Sequence, residues 1–305
     1  MPLRNSAVLT VGLVTMAERP GWEKDDLPLV RALEARGVRV EEPVWDDERV
    51  DWRALDAALI RTTWDYHGKR EAFVEWTDRA AAATRLLTQA GVVPWNTDKR
   101  YLRDLERLGV RLAPTLWLER GSSVDEARVQ GFLDGRRGFL KPAVGACASD
   151  TLPFDPDAAG WESARRHLEA LLPRQTMLLQ PFLPSVQTEG ELSFVWFDGE
   201  YSHAVRKVPV PGDYRVMDDF GASDGPYEPT REDMAACERV SRAMAAIPAL
   251  GGDAPLYARM DFLWDDEGDA CLTELELVEP SLFFRHSAGA ADRLAECLCA
   301  RLARP

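Results

Sequence analysis

The sequence lacks any apolar run near the roughly 20 residues that a membrane-spanning helix needs, and we expect no contact with a membrane. Its five cysteines are scattered and never spaced as Cys-x-x-Cys, a pattern that favours neither a disulfide framework nor a zinc site. That usage suits a reducing cytoplasm, where we expect the protein to be located. Residues 1–10 have one arginine and no apolar stretch before a cleavage site, so we interpret them as the start of a first strand, not a signal peptide.

Positive charge is also scarce. The formal net charge is −14 and the pI is about 4.9, which argues against nucleic acid as a partner. Only five of the 37 basic residues are lysines: Lys24, Lys69, Lys99, Lys141 and Lys207. Lysine is a compact point charge suited to phosphate oxygens, whereas arginine is a planar fork. Their small number alone fits chance placement as well as a role in phosphate binding, and only their positions in the sequence can distinguish the two.

The first third of the chain alternates strand and helix patterns, which predicts a parallel sheet with helices on its faces. The predicted strands cover residues 7–15, 38–44 and 57–61, and the predicted helices cover residues 25–36 and 71–89. Ligands of such sheets bind beyond the carboxyl ends of the strands. The segment 61–68 therefore lies where a substrate could bind, although a plain solvated loop with an anchoring tryptophan fits it equally well.

The remaining two thirds predict a mixture of helices and strands. The predicted helices are residues 98–108, 124–133, 161–171, 231–246 and 290–303. The predicted strands are residues 115–118, 138–142, 176–182, 191–197, 201–208, 256–264 and 270–277. Residues 209–229 are rich in Gly, Pro and Asp, and we predict a long loop there that acts as a lid or a binding loop.

The strongest local pattern is an acidic hairpin near the C-terminus. Two apolar strands flank the turn at residues 265–268. Because side chains alternate along a strand, Arg259 and Asp261 share one face, and Glu274 and Glu276 share one face of the partner strand. If the two faces coincide, three carboxylates and an arginine converge, and carboxylates of this kind are ligands for Mg²⁺ beside substrate phosphates. The alternative is a surface hairpin whose acids merely face water.

This hairpin resembles the ATP-grasp superfamily, in which an Asp on one strand and a Glu on the next bind magnesium ions that bridge ATP phosphates. The interval from Asp261 to Glu274, 274 − 261 = 13 positions, is similar to that of the D-alanine–D-alanine ligase branch. The resemblance implies Asp261, Glu274 and Glu276 as metal ligands and Arg259 as a catalytic cation. Glu276 departs from the family's Asn, and its extra negative charge leaves the number of magnesium ions open.

Upstream motifs follow in the family's order. The resemblance implies that Lys99 and Lys141 contact the phosphates, and that Glu191 holds the ribose. It implies that the segment Gln180–Leu183, with Gln180, Phe182 and Leu183, reads the adenine edge; the family usually has an acid where this chain has Gln180.

Basic groups come next, where the family places cations over the terminal phosphates and the substrate. The resemblance implies this position for His203, Lys207 and Arg215, of which Lys207 and Arg215 join Arg259 as catalytic residues. Its phosphate-covering loop is rich in glycine, but residues 143–151 of this chain contain one glycine and Cys147. No histidine lies near Cys147 in the sequence, so we interpret it as an inert small thiol.

Within the superfamily, the phrases RTTWDYHG, WNTDKRYLRDL, GELSFVWFDGEYSHAVRKVP and ELELVEPSLFFRH resemble the branch that contains the cyclo-ligase of D-cycloserine biosynthesis. That branch closes O-ureido-D-serine into a ring and releases its carbamoyl group. The resemblance implies an α/β fold with α+β lobes: a parallel-sheet pre-ATP-grasp domain (1–95), an ATP-grasp small lobe with its linking helix (96–184), and a large lobe with the metal and phosphate site (185–305).

The expected activity is ATP- and Mg²⁺-dependent ligation of an amino-acid-like carboxylate to an amine through an acyl phosphate, with cyclisation within one molecule as the candidate reaction. An intermolecular amino-acid or peptide ligase and a non-catalytic nucleotide-binding protein are the alternatives. We expect substrate contacts from residues 61–67 and from Arg285 and His286. The sequence leaves the substrate, its stereochemistry and the oligomeric state open, with a homodimer as one candidate.

Overall fold

A computed structural model describes residues 8–19 and 21–304 of the chain. Ala7, with which the first predicted strand begins, lies outside the described residues, and so does most of the segment 1–10. Three separate sheets organise the described chain. They draw their strands from successive stretches of the sequence, and the predicted boundaries at residues 95 and 184 stay a prediction.

The first sheet is the expected parallel one, with strand order β2-β1-β3-β4. Its strands are β1 (Thr10–Thr15), β2 (Arg39–Glu41), β3 (Ala57–Thr62) and β4 (Arg85–Leu86). The associated helices are α1 (Leu27–Glu34), α2 (Arg70–Ala83) and α3 (Val92–Asn96). Helix α1 begins beside Pro28, which fits the first turn because it has no N–H to leave unpaired. Short 3₁₀ turns follow β2 at Trp52–Ala54 and β3 at Tyr66–Gly68.

A smaller antiparallel sheet follows, with strand order β5-β8-β6-β7. Its strands are β5 (Leu116–Leu118), β6 (Gly138–Pro142), β7 (Leu152–Phe154) and β8 (Met177–Pro181), and the helices of this region are α4 (Tyr101–Arg107), α5 (Glu126–Leu133) and α6 (Ala158–Leu171). Leu140 and Leu179 of this sheet pack with Leu168 of α6 in one apolar cluster. One face of the sheet is thus covered by helices, and the other is free to line a cleft.

The third sheet has five antiparallel strands in the order β11-β10-β9-β12-β13. They are β9 (Glu191–Phe197), β10 (Glu200–Val208), β11 (Ser223–Tyr227), β12 (Tyr257–Trp264) and β13 (Ala270–Glu276). The helices here are α7 (Ser185–Thr188), α8 (Arg231–Met244) and α9 (Ala290–Leu302). Additional 3₁₀ turns lie at Asp218–Phe220, Pro248–Leu250 and Phe284–His286.

Side-chain alternation gives this sheet two different faces. Phe194, Met260 and Phe262 point to one side, where they form a core with Val240 of α8. Residues of the other parity, such as Val195, pack against the first sheet and α9. The second face is therefore apolar at one end of the sheet. At the other end it carries polar side chains, namely Glu191, Ser193, Arg259 and Asp261.

Two buried polar contacts join the first and third sheets. The Tyr257 hydroxyl lies 2.5 Å from the Ile60 carbonyl oxygen and 2.7 Å from that of Val278. The Arg61 guanidinium donates to Asp26 at 2.8 Å and to the Pro280 carbonyl at 3.0 Å. These contacts fix the amino-terminal sheet against the segment that follows β13.

The structure corrects several element predictions. Helix α2 ends at Ala83, not near residue 89, because Arg85 and Leu86 pair with β3 as a short strand. The predicted loop 209–229 contains β11, which pairs with β10 at the edge of the sheet. Strand β7 was missed altogether. None of the described helices is long and apolar enough to cross a membrane.

Candidate active site

A cavity of about 650 Å³ opens between the two antiparallel sheets and the amino-terminal sheet. Its volume is within the usual range for small-molecule sites. Apart from His203, the residues that the resemblance assigned to catalysis, nucleotide or metal all line it: Lys99, Lys141, Gln180, Phe182, Leu183, Glu191, Lys207, Arg215, Arg259, Asp261, Glu274 and Glu276. The fold thus brings to one place side chains that are up to 177 positions apart (276 − 99).

The acidic hairpin has the predicted register. Arg259 on β12 lies opposite Glu276 on β13, and Asp261 lies opposite Glu274. Asp261, Glu274 and Glu276 each offer a carboxylate oxygen within 4.8 Å of the others. The expected convergence of the two faces is confirmed. This all-oxygen donor set fits Mg²⁺, which takes carboxylate ligands together with substrate phosphates.

Arg259 ties the hairpin together. Its guanidinium donates to Asp261 at 2.9 and 3.0 Å, to Glu276 at 2.5 Å and to the Ser281 carbonyl at 3.2 Å. Ser193 on β9 donates to Asp261 at 2.6 Å. Burial opposes ionisation of Asp261, but the charges of Arg259 and Lys207 and the hydrogen bonds from Arg259 and Ser193 together outweigh it, so the pKa of Asp261 lies below its ordinary value. Asp261 is therefore an ionised carboxylate held in a fixed position.

Glu276 shows the cost of a carboxylate where the family has an amide. Burial, and then the charges of Asp261 and Glu274, raise the pKa of Glu276 to about 7 despite its contact with Arg259. The cations of the site thus do not fully neutralise its negative charge. A bound divalent cation would relieve that excess, which is a second reason why the donor set fits magnesium.

Three lysines surround the carboxylates. Lys207 pairs with Glu191 and lies 3.7 Å from Asp261. Lys99 lies 3.4 Å from Glu274 and donates to the Gly145 carbonyl at 2.8 Å. The Lys141 ammonium donates to a backbone carbonyl on β13, at Thr273 (3.2 Å).

The effects of burial on two of these lysines differ. Burial lowers the pKa of Lys141, and the charge of Glu274 opposes that shift only in part. Burial also disfavours the charged form of Lys207, but Asp261 and Glu191 outweigh it and raise the pKa of Lys207. Lys207 is therefore held as a cation by the carboxylates themselves, whereas Lys141 would gain from a polyanion in the cavity.

An aromatic wall stands at the other end of the cavity. The ring centroids of Phe139 and Phe182 are 6.4 Å apart, and that of Tyr214 lies 5.4 Å from Phe139. Gln180 donates its side-chain amide to Thr115 Oγ1 at 2.8 Å. These rings offer apolar surface for a planar base. Tyr214 was missed by the sequence reasoning, because nothing local marks it apart from other loop residues.

The loop between β6 and β7 has a conformation that side-chain-bearing residues seldom adopt. Cys147, Ala148 and Asp150 all have φ between 52° and 56°. A Cβ on Gly145 would meet the Pro142 ring at 2.6 Å. Partial desolvation, and then the charge of Asp219, raise the pKa of the Cys147 thiol, which supports its interpretation as an unreactive thiol.

Arg215 and Arg285 belong to the cavity rim. Arg215 donates to Asp213 at 2.7 Å and stacks over Phe220 with 3.9 Å between its guanidinium carbon and the ring centroid. Arg285 pairs with Asp25 of the amino-terminal region at 3.1 Å. It also contacts two residues of the segment that follows β10, namely Asp218 at 3.2 Å and Asp224. Arg285 therefore links this rim segment to the amino-terminal sheet.

Several residues predicted to contact the substrate or the phosphates do not line the cavity. His203 shares a face with Lys207 but lies four residues, about 13 Å, before it on β10, where its ring packs on Phe197 and forms a hydrogen bond with the Leu282 carbonyl. Arg61 is buried against Asp26 and does not line the cavity. His67 and His286 do not line it either. Their rings are held by the Trp64 carbonyl and by Asp224, respectively.

The predicted substrate segment 61–67 reaches the cavity through Trp64 and Tyr66, which follow β3. Two further residues of this face, Arg19 after β1 and Glu279 after β13, line the cavity and were not predicted. Glu279 stands in the quoted phrase ELELVEPSLFFRH, but no spacing rule singles it out.

The two-sheet cleft with an acidic hairpin defines the class of protein. The crystal structure of D-alanine–D-alanine ligase from Bacillus anthracis complexed with ATP superimposes with a TM-score of 0.62 over 98% of each chain, at 16% identity. At that identity the likeness shows the fold alone. The structure of the ATP-grasp ligase PsnB superimposes equally well, with a TM-score of 0.61 over 96% of this chain and 98% of that one at 16% identity, so the fold is that of the ATP-grasp ligases.

The family follows from closer relatives. Residues 11–88 match the family model of the amino-terminal domain of D-cycloserine synthetase DcsG. The cycloserine biosynthesis protein DcsG of Streptomyces lavendulae is 34% identical over 307 residues, which cover 96% of this chain and 98% of that protein. The crystal structure of D-cycloserine synthetase DcsG superimposes with a TM-score of 0.87 at 30% identity, over 96% of this chain and 99% of that one. The chain belongs to the DcsG family of ATP-grasp ligases.

This membership confirms the expected fold and the expected class of reaction. The protein is an enzyme that uses ATP to join a carboxylate to an amine. The alternative of a non-catalytic nucleotide-binding protein is set aside.

Proposed function

We propose that this enzyme closes an O-ureidoserine-like amino acid, with O-ureido-D-serine as the first candidate, into a five-membered ring. The relatives named as cycloserine synthetases support this substrate class. The observation that carries the proposal is the set of three carboxylates within 4.8 Å of one another, enclosed by Arg259, Lys99 and Lys207 in one cavity. Such a set suits a triphosphate beside a reacting carboxylate. Five free cysteines are in keeping with a reducing cytoplasm as its location.

Asp261, Glu274 and Glu276 would hold magnesium, and the supporting observations are their oxygen donors and the raised pKa of Glu276. When bound, the metal would neutralise charge on the phosphate oxygens. In this proposal the adenine of the nucleotide lies at residues 180–183, and its ribose lies at Glu191. Lys99 and Lys141 would face its phosphates.

The reaction would run in two displacements. A carboxylate oxygen of the substrate attacks the γ-phosphorus, the bond to the bridging oxygen breaks, and ADP leaves. The nitrogen of the N–O group then attacks the acyl carbon, phosphate leaves, and the carbamoyl group is released by hydrolysis. Arg259 would stabilise the acyl phosphate and the oxyanion of the second step, with Lys207 and Arg215 as further cations. The protein's part is positioning and charge stabilisation.

The experiment is a screen for ADP and phosphate release with Mg²⁺-ATP over ureido-, hydroxyamino- and ordinary amino acids, with mass spectrometry of each product. We expect release with O-ureido-D-serine and a product whose mass corresponds to the ring without its carbamoyl group. A dipeptide mass from an ordinary amino acid would instead identify an intermolecular ligase. Absence of amino-acid-dependent release across the screen would contradict the proposal.

A further inference from the structure

One carboxylate of the cavity differs from all the others in its surroundings. Nine acidic side chains line the cavity, and eight of them lie within 4.0 Å of an arginine or lysine nitrogen. These pairs are Glu23 and Asp219 with Arg19, Asp25 and Asp218 with Arg285, Glu191 with Lys207, Asp261 and Glu276 with Arg259, and Glu274 with Lys99. The ninth is Glu279, which has no such partner among residues 8–19 and 21–304.

Glu279 is nevertheless held firmly. Its backbone carbonyl accepts a hydrogen bond from the Trp64 indole N–H at 3.0 Å. Its carboxyl interacts with the hydroxyl of Tyr66, which is itself buried. Both aromatic residues come from the segment after β3, at the carboxyl edge of the parallel sheet. These contacts hold Glu279 at the wall of the cavity that it lines.

An unpaired carboxylate in such a place is costly. Burial, and then the charge of Glu276, raise the pKa of Glu279 to about 8; Lys99 and Arg259 oppose this, but both are already engaged by other carboxylates. The arrangement lacks one positive charge at this position. An amino-acid substrate has one to supply.

We propose that Glu279 binds the α-ammonium group of the amino-acid substrate, and that Tyr66 positions its carboxylate for that contact. The inference rests on the proposed function, because it requires an amino acid in the cavity. The ammonium and carboxylate of an amino acid are attached to the same carbon. An ammonium at Glu279 therefore keeps the substrate carboxylate in the same cavity, which Arg259 also lines.

The test compares wild-type enzyme with Glu279→Gln, which keeps the shape and removes the charge. We expect KM for O-ureido-D-serine to rise by about 10- to 100-fold, the usual range for a lost charged hydrogen bond, while KM for ATP stays within about twofold of wild type. A matched probe is the same molecule with a hydroxyl in place of the α-ammonium. We expect it to inhibit both enzymes with equal affinity. The affinity of the wild-type enzyme for this compound should be about 10- to 100-fold lower than its affinity for the amino acid.

Asp219→Asn is the control variant. Asp219 is also a cavity carboxylate, but its side chain is 65% exposed and lies beside Arg19. We expect its substrate KM to match wild type. Tyr66→Phe should raise the substrate KM by less than Glu279→Gln and should have no added effect in the double variant, because it acts through the same carboxylate.

The outcomes separate the two proposals. Wild-type enzyme that neither binds O-ureido-D-serine nor releases ADP with it would overturn the proposed function, and this inference with it. Wild-type turnover with an unchanged substrate KM in Glu279→Gln would overturn the inference alone, and so would a raised magnesium requirement without a change in substrate KM. If Glu279→Gln fails to fold, equal wild-type affinity for the amino and hydroxyl compounds is the overturning result.

Discussion

Glu274→Gln should abolish activity at little cost to the fold. Apart from Lys99 at 3.4 Å, no arginine or lysine nitrogen in the described chain lies within ion-pair distance of Glu274, whose side chain is 32% exposed. An ion pair of that kind contributes about 0.2–1 kcal/mol to the free energy of unfolding. Asp261→Asn should be far more damaging, because Asp261 is 3% exposed and is bonded by Arg259 and Ser193. Breaking a buried pair costs about 3–5 kcal/mol.

Both substitutions remove a carboxylate that we assign to the metal, so both should lower kcat for ADP formation by at least about 100-fold. Coupled ADP release at saturating ATP and Mg²⁺ measures the activity, and urea unfolding measures the stability. The two variants should therefore agree in activity and differ by about 2–5 kcal/mol in stability. Glu267→Gln, on the exposed turn of the same hairpin, should change neither quantity.

A Glu274→Gln enzyme that turns over within tenfold of wild type would refute the metal assignment. Equal destabilisation by the two substitutions would refute the account of their different surroundings. Loss of activity in Glu267→Gln would show that the assay responds to the hairpin in general rather than to the three carboxylates.

Three further predictions concern the surroundings of the site. Tyr257→Phe should lower the free energy of unfolding in urea by about 1–3 kcal/mol, because it leaves buried carbonyls at the sheet junction without a donor; an unchanged stability would contradict this. Gly145→Ala should raise KM for ATP but not for the amino acid, since its Cβ would be 2.6 Å from the Pro142 ring; equal changes in both would contradict it. Burial lowers the pKa of His203 to about 4, against about 6.5 when unfolded. The unfolded state therefore binds the extra proton first, and stability is lost as pH falls from about 6.5 to 4; His203→Gln should reduce that loss in urea unfolding at pH 7 and 4.5, and an unchanged pH dependence would contradict it.

The sequence predicted the acidic hairpin well because its information is local. Alternation along β12 and β13 fixes which side chains share a face, and the short turn fixes the register of Asp261 opposite Glu274. The nucleotide residues were placed by the order of the family's motifs. Their assigned roles stay predictions, but the cavity contains all of them.

What the sequence did not predict depends on contacts between distant segments. Strands β7 and β11 each contain a proline, which argues against a strand, yet both lie at a sheet edge, where a missing N–H is tolerated. The contact of Glu279 with Tyr66 spans more than 200 positions, and only the docking of the amino-terminal sheet creates it. His203 does not line the cavity, contrary to its expected position, because basic character alone does not say how far along a strand a side chain lies.

The three-way contact of Arg285 has a kinetic consequence. If product leaves past the rim segment, that segment has to separate from the guanidinium, and the Asp218 side chain that would be released is 51% exposed. Dissolved ions compete most effectively with such half-hydrated pairs. If ADP release limits turnover, kcat should therefore increase with ionic strength. The buried ion pair between Arg259 and Asp261 is shielded from the same ions.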